Sequence, residues 1–297
     1  MPSGRGITIL TPYLWLLIFF VIPFLIVLKI SVAETQITQP PYSDLITWDD
    51  IGLKIQLFFG NYDFIIFGDG EFYLTALWNA LTIAFISTIL CLLIGFPMAY
   101  AIARSSPTSR NIFLLLVILP FWTSFLIRIY AWVGILKNNG VINNVLIWLG
   151  LISPDNPLIM MNTNFAVYIG IVYSYLPFMI LPLYATLEKM DLTLLEAAAD
   201  LGCKPWRAFL SITVPLALPG IIAGCMLVFI PAVGEYVIPE LLGGPDSLMI
   251  GRILSNEFFT NRDWPVASTL AIFILIVLII PILIFQYFQN KQVDAYR

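Results

Sequence analysis

Apolar residues fill this chain in long, nearly unbroken runs, and polar residues gather in the intervals between them. A helix crossing a bilayer needs about 20 mostly apolar residues. Six runs meet that length: 8–31, 74–103, 112–136, 164–187, 212–238 and 266–288. The pattern predicts six transmembrane helices. A further stretch, 141–152 (VINNVLIWLGLI), is too short to span and is expected to lie in or near the interface. The second run is long enough that its ends must tilt or project from the hydrocarbon. The first is preceded by Arg5 and followed by Ser31-Val32-Ala33, which has the small-x-small look of a signal cleavage site. Its apolar stretch exceeds the roughly 7–15 residues of a signal core, so it is expected to stay as the first span.

Composition supports the pattern. Hydrophobic residues make up 60% of the chain and charged residues 11%, against about 25% charged in soluble domains. So few charges cannot cover a water-facing surface. The fold class is an all-α integral membrane protein, one transmembrane domain over 1–297. The chain has no histidine, which removes the usual proton shuttle and the commonest metal ligand. Its cysteines, Cys91, Cys203 and Cys225, are too far apart for a zinc site and odd in number, so they are expected to pack. No G-x-x-x-x-G-K-[ST] phosphate loop occurs, so ATP chemistry, if coupled, must lie on a partner.

Loop charges orient the spans, because cytoplasmic loops collect lysine and arginine. With the N-terminus inside, the inner side holds Arg5, Arg104, Arg110, Lys189, Lys204, Arg207, Lys291 and Arg297. The outer side holds only Lys54, Lys137, Arg252 and Arg262. Both termini are therefore expected inside. Thirteen of the eighteen acids then lie on or near the outer side: Glu34, Asp44, Asp49, Asp50, Asp63, Asp69, Glu71, Asp155, Glu235, Glu240, Asp246, Glu257 and Asp263. An outer face of that sign concentrates cations, or the acids simply fill polar positions that lysine and arginine avoid.

Between the fourth and fifth runs lies LLEAAADLGCKPWRAFLSITVP, residues 194–215. It reads as two short helices around a corner. Thr193 and Glu196 have the T-x-x-E spacing of a capping box, and the alanines that follow favour helix. Gly202 stands where a left-handed residue would end the first helix. Pro205 stands at the first position of the second. Glu196 is then a helix cap, or part of a rigid surface offered to a soluble partner.

Glu196-Ala197-Ala198, three residues, Gly202, nine residues and Ile212-Thr213-Val214-Pro215 resemble the EAA signature of type I ABC-importer permeases, EAA-x3-G-x9-I-x-L-P. Only Val214 departs from it, and it keeps the apolar character. The resemblance implies the type I importer permease fold, with 188–215 as a cytoplasmic coupling loop. Glu196, Ala197, Ala198, Asp200 and Gly202 would contact or shape the contact with an ATPase. It implies as partners a second homologous permease, a dimer of cytoplasmic ATPases, a periplasmic binding protein and membrane lipid, and no nucleic acid; the chain itself would lie in a bacterial inner membrane. The chain itself would bind no cofactor and catalyse nothing; ATP and magnesium would sit on the ATPase.

Residues 111–141, 228–251 and 261–268 (NRDWPVAS) resemble the polyamine branch of these permeases, putrescine-type, with spermidine/putrescine permeases close by. The residues agree with a dication, which needs carboxylates and aromatic faces. Glu235, Tyr236 and Glu240 fall where Pro231, Gly234 and Pro239 interrupt the fifth run. Ionisable groups at that depth are candidates for function. Trp122, Tyr130, Trp132, Tyr173 and Tyr175 add aromatic surface, in the pathway or simply as packing and interface belt. Glu235 is alternatively an interfacial acid paired with Arg128. Gly220-x-x-x-Gly224 is a small-xxx-small pattern suited to close helix packing, with the sister permease as one possible neighbour. The segment 33–72 is expected as a long outer segment, suited to docking the binding protein. A self-sufficient secondary transporter of cations is the competing class, and the inverted repeat that would be one sign of it is not visible.

Overall fold

The structure, a computed structural model, describes residues 4–49, 52–68 and 71–295. Asp50, Asp69 and Arg297 lie outside the described residues, as do the side chains of Arg5, Asp49 and Lys291. In chain order the elements begin with α1 (Gly4–Leu16) and α2 (Ile22–Ser31), joined through a π-helical turn, then β1 (Ile46–Asp49), β2 (Gly52–Ile55) and α3 (Gly60–Phe67). The long α4 (Glu71–Arg104) is followed by α5 (Pro107–Ile118), α6 (Phe125–Leu136), α7 (Val141–Trp148) and α8 (Asn164–Glu188). Next come α9 (Thr193–Asp200), α10 (Pro205–Ala208), α11 (Val214–Val233), α12 (Val237–Leu242), α13 (Ile250–Asn256) and α14 (Trp264–Ala295).

Among the described residues five stretches are long and apolar enough to cross a membrane: Thr8–Ser31, Glu71–Arg104, Asn164–Glu188, Pro205–Val233 and Trp264–Leu283. A sixth is a broken pair, Pro107–Trp122 and Phe125–Trp148, bent by 92°. The continuous third helix expected over 112–136 is therefore corrected. Its first half tightens into a 3-10 turn at Leu119–Trp122, and Thr123 and Ser124 take extended backbone before α6 starts. Pro120 has no amide to offer a continuing helix, and Thr123 Oγ1 donates to the Pro120 carbonyl at 2.8 Å. The fifth span also ends early, at Val233.

The chain divides into two compact units, Met1–Leu77 with Ile253–Ile279, and Trp78–Arg252 with Ile280–Arg297. In the first, segment 33–72 contains an antiparallel hairpin, Ile46 opposite Ile55 and Asp49 opposite Gly52, followed by α3. The end of α2 leaves carbonyls without helical partners. Asn61 Nδ2 donates to the Ser31 and Ala33 carbonyls at 3.1 and 2.8 Å, and Thr269 Oγ1 donates to Ser31 O at 3.0 Å.

In the second unit α8 is the central helix. Met179, Ile180, Leu183 and Leu187 pack in one buried cluster with Cys91, Ala99 and Ile102 of α4 and Ala217 and Val228 of α11. The glycine pair of α11 serves this contact inside the chain rather than one with a second permease. A Cβ on Gly220 would come within 2.8 Å of the Pro182 carbonyl, and one on Gly224 within 2.7 Å of the Met179 sulfur. Backbone approach of this kind is what small residues permit between membrane helices.

Candidate functional site

Two breaks in the apolar helices face one cavity of about 490 Å³ in the second unit. One wall is the α5–α6 break, with Phe121, Phe125 and Arg128. The second is α8, with Ser174, Tyr175 and Phe178. The third is the α11–α12 break, with Pro231, Gly234, Glu235 and Tyr236. Volumes between about 300 and 1,000 Å³ suit small-molecule sites.

Glu235 is the one carboxylate lining it, and it is buried, 8% exposed. Its position follows from the break. Where α11 stops, Glu235 and Tyr236 leave the helical path, and α12 restarts with its first amides free. Those amides turn to the side chain: Val237 N–H donates to Glu235 Oε1 at 3.0 Å, and Ile238 N–H at 3.4 Å. A negative group at a helix N-terminus is favoured by both the free amides and the helix dipole. The other oxygen, Oε2, accepts from the Tyr175 hydroxyl at 2.5 Å.

Arg128 lines the same cavity and forms no ion pair with Glu235. Its guanidinium lies over the rings of Phe121 and Phe125, 5.2 and 5.8 Å from their centroids. Its Nε is buried without a hydrogen-bond partner, and so is Ser174 Oγ. Buried polar atoms are nearly always satisfied. Two unsatisfied ones on facing walls of one cavity suit a polar guest or water.

Of the residues singled out from the sequence, Glu235, Tyr236, Arg128 and Tyr175 line the cavity. Glu240, Trp122 and Trp132 do not. Glu240 Oε2 meets Arg252 Nε at 2.5 Å; the Nε hydrogen is not aligned on an acceptor, so this is a contact of charges. Trp122 is 74% exposed. Trp132 packs edge-on against Tyr173, centroids 5.5 Å apart. The sequence reading missed Phe121, Phe125, Phe178 and Ser174. Phe121 and Phe125 flank Thr123-Ser124, a polar pair inside an apolar run, and that pair was the available signal.

The second candidate surface is α9. Glu196, Ala197 and Asp200 are exposed on it, Ala198 is half-buried, and Gly202 follows exposed at the corner. Gly202 has φ +75°, as expected for a residue ending a helix in the left-handed region. Its amide donates to Ala199 O at 2.8 Å and that of Cys203 to Ala198 O at 2.9 Å, the paired bonds of a Schellman end. Pro205 opens α10 after Lys204 in extended backbone. The capping box is corrected. Leu192 is already helical, so Glu196 N–H bonds back to Leu192 O, and the Thr193 amide is taken by Asp191 Oδ1 at 3.0 Å.

The family described as binding-protein-dependent transport system inner membrane component matches residues 91–294. The chain belongs to that family. This permease is 41% identical over 288 residues to a spermidine/putrescine transport system permease protein PotB of Haemophilus influenzae, covering 97% of this chain and 94% of the relative. It is 38% identical over 284 residues to the protein of that name in Escherichia coli, covering 94% and 97%. Among solved structures it resembles a chain of a bacterial ABC transporter involved in import of alginate, with TM-score 0.69 and 19% identity, covering 96% of this permease and 94% of that chain. A chain of an inward-facing methionine ABC transporter matches with TM-score 0.51 and 17% identity, covering 75% and 95%. At those identities the likeness concerns the fold: this permease has the architecture of ABC importer permeases.

Proposed function

We propose that this permease is one of two membrane subunits of an ATP-driven polyamine importer, carrying putrescine or spermidine inward. The near full-length relatives named for that transport support the substrate class. One observation in the geometry supports it most directly. The cavity has a single carboxylate, Glu235, anchored by Tyr175 and two backbone amides beside the ring faces of Phe121, Phe125 and Phe178. A fixed anion next to aromatic faces is the environment an alkylammonium group prefers to bulk water only when desolvation is offset by both.

In this reading the chain binds no cofactor. ATP and magnesium sit on a pair of cytoplasmic ATPases, and α9, with Glu196, Ala197, Ala198, Asp200 and the Gly202 corner, is the part they grip. An external polyamine-binding protein delivers substrate on the outer side, with segment 33–72 available to it. The second permease completes the pathway. Both termini face the cytoplasm, as the lysine and arginine count favours.

The test is reconstitution. The full complex and this permease alone are placed in liposomes, and uptake of labelled putrescine and spermidine is followed with and without ATP. ATP-dependent uptake by the complex only is expected. Uptake by the lone chain, indifferent to ATP, would refute the assignment.

A further inference from the structure

The cavity holds a second charge that the reading above does not use. Arg128 sits within a membrane-spanning segment, where arginine ordinarily pairs with an acid or reaches for the interface. Here, among the described residues, no acid pairs with it. Its Nε is buried without an acceptor, and its guanidinium rests on Phe121 and Phe125 at 5.2 and 5.8 Å. The ring faces that a substrate ammonium needs are thus already covered by a cation belonging to the protein. The nearby anion is meanwhile held by Tyr175 and the α12 amides. The cavity carries one positive and one negative group, and they do not neutralise each other by contact.

We infer that Arg128 is a tethered competitor for the ammonium site, and so a specificity- and release-determining residue. This rests on the polyamine reading above. A substrate ammonium reaches Glu235 by displacing the guanidinium from the two phenylalanine rings, and the guanidinium returns as the substrate leaves. Like-charge repulsion from Arg128 holds the affinity low enough for discharge. It also admits one ammonium beside Glu235 while turning the second amine of a diamine away from α6. The arrangement resolves a difficulty of any transport site: an acid and three aromatic rings with no opposing charge would retain a cation that has to be released.

The experiment is a kinetic split in the reconstituted full complex, measuring initial uptake of labelled putrescine over a range of concentrations for wild type, Arg128→Met, Arg128→Gln and Arg128→Lys. Removing the charge is expected to lower KM about tenfold and to lower kcat by a similar factor, because release now lacks its competitor. Arg128→Lys is expected to return both values to within about threefold of wild type. If Arg128→Met disturbs assembly, judged by complex yield, Arg128→Gln carries the comparison, since it keeps a polar side chain. A raised or unchanged KM in assembled neutral variants would overturn the inference. So would Arg128→Lys behaving like Arg128→Met. Failure of the wild-type complex to take up polyamines would instead sink the substrate assignment beneath it, so the two failures are distinguishable.

Discussion

Replacing Glu235 with glutamine is the most direct test of the cavity. The substitution removes the negative charge and nearly preserves shape. Locally the loss is small: glutamine Oε1 can still accept from the Val237 amide, and its Nε2 can donate to the Tyr175 oxygen. Exchanging charge-assisted bonds for neutral ones costs on the order of 1 kcal/mol, tolerable against a stability of roughly 5–15 kcal/mol. The substrate is affected more. An ammonium about 4 Å from the carboxylate gains roughly 4 kcal/mol at an effective dielectric near 20 before desolvation is charged against it. Truncating one member of a buried hydrogen-bonded charge pair costs about 2–5 kcal/mol, and glutamine, which keeps a dipole, belongs at the lower end. About 2 kcal/mol corresponds to roughly a 30-fold fall in kcat/KM. The assay is the initial rate of ATP-driven putrescine uptake by the reconstituted complex, with yield and basal ATPase as measures of assembly. Tyr175→Phe is the companion: it deletes one hydrogen bond but leaves the charge, and is expected to cost only a few-fold. Unchanged kcat/KM in Glu235→Gln at normal yield would refute the reasoning. A larger loss in Tyr175→Phe would show the pair to be structural.

Three further outcomes follow from the coordinates. Gly224→Val should destabilise the chain by about 1–3 kcal/mol, because the new side chain would begin 2.7 Å from the Met179 sulfur and 3.2 Å from its carbonyl; thermal melting of the purified complex reads this, and an unchanged melting point contradicts the α8–α11 packing. Gly202→Ala meets no neighbouring atom but forces a side chain onto φ +75°, a strain of roughly 1–2 kcal/mol. It should leave complex yield intact while reducing substrate-stimulated ATP hydrolysis, and normal stimulation would argue against a fixed corner. Asp191→Ala should weaken the start of α9 by about 1 kcal/mol, visible as faster amide exchange at Thr193, whereas Glu196→Ala should not; equal exchange in both variants would restore the capping box.

The legibility of this molecule in its sequence divides along physical lines. Hydropathy sums over a window, so the five long spans came through, and so did the approximate place where proline and glycine interrupt the fifth. The same averaging hid the break at Thr123-Ser124. Two hydroxyl residues barely lower the mean of a 25-residue run, yet the chain turns at them, with Thr123 Oγ1 bonded to the Pro120 carbonyl. The cavity depends on that turn, which is why Phe121 and Phe125 escaped notice while Tyr175, Glu235 and Arg128 did not. Glu240 was a candidate beside Glu235, five residues away in the same interrupted stretch. Glu235 sits at the break before α12, whereas Glu240 lies within that short helix and ends beside Arg252. Gly220 and Gly224 announced close packing correctly but could not announce the partner, because spacing says how near a backbone can come and nothing about whose backbone it is.

The corner after α8 shows how one local reassignment changes a functional argument. Read from sequence, the carboxylate of Glu196 had two employments, closing a capping box and meeting a partner protein, and a side chain engaged in the first is withheld from the second. The structure moves the helix start one residue earlier. With Leu192 already in helical backbone, the amide of Glu196 finds its partner in the Leu192 carbonyl, and Asp191 takes the Thr193 amide. Glu196 therefore makes no side-chain hydrogen bond or ion pair among the described residues, and it is exposed. It stands one turn from Asp200 on a helix with no buried residue, flanked by Leu194 at 45% and Leu201 at 88% exposure. An eight-residue helix that buries none of its apolar side chains within its own chain lacks the usual source of helical stability, since tertiary packing rather than propensity holds most short helices. Its Schellman end, its Asp191 cap and the proline restart at Pro205 supply local constraints in place of packing. A surface constrained at its ends, with leucines and two carboxylates exposed, is what the proposed ATPase contact requires.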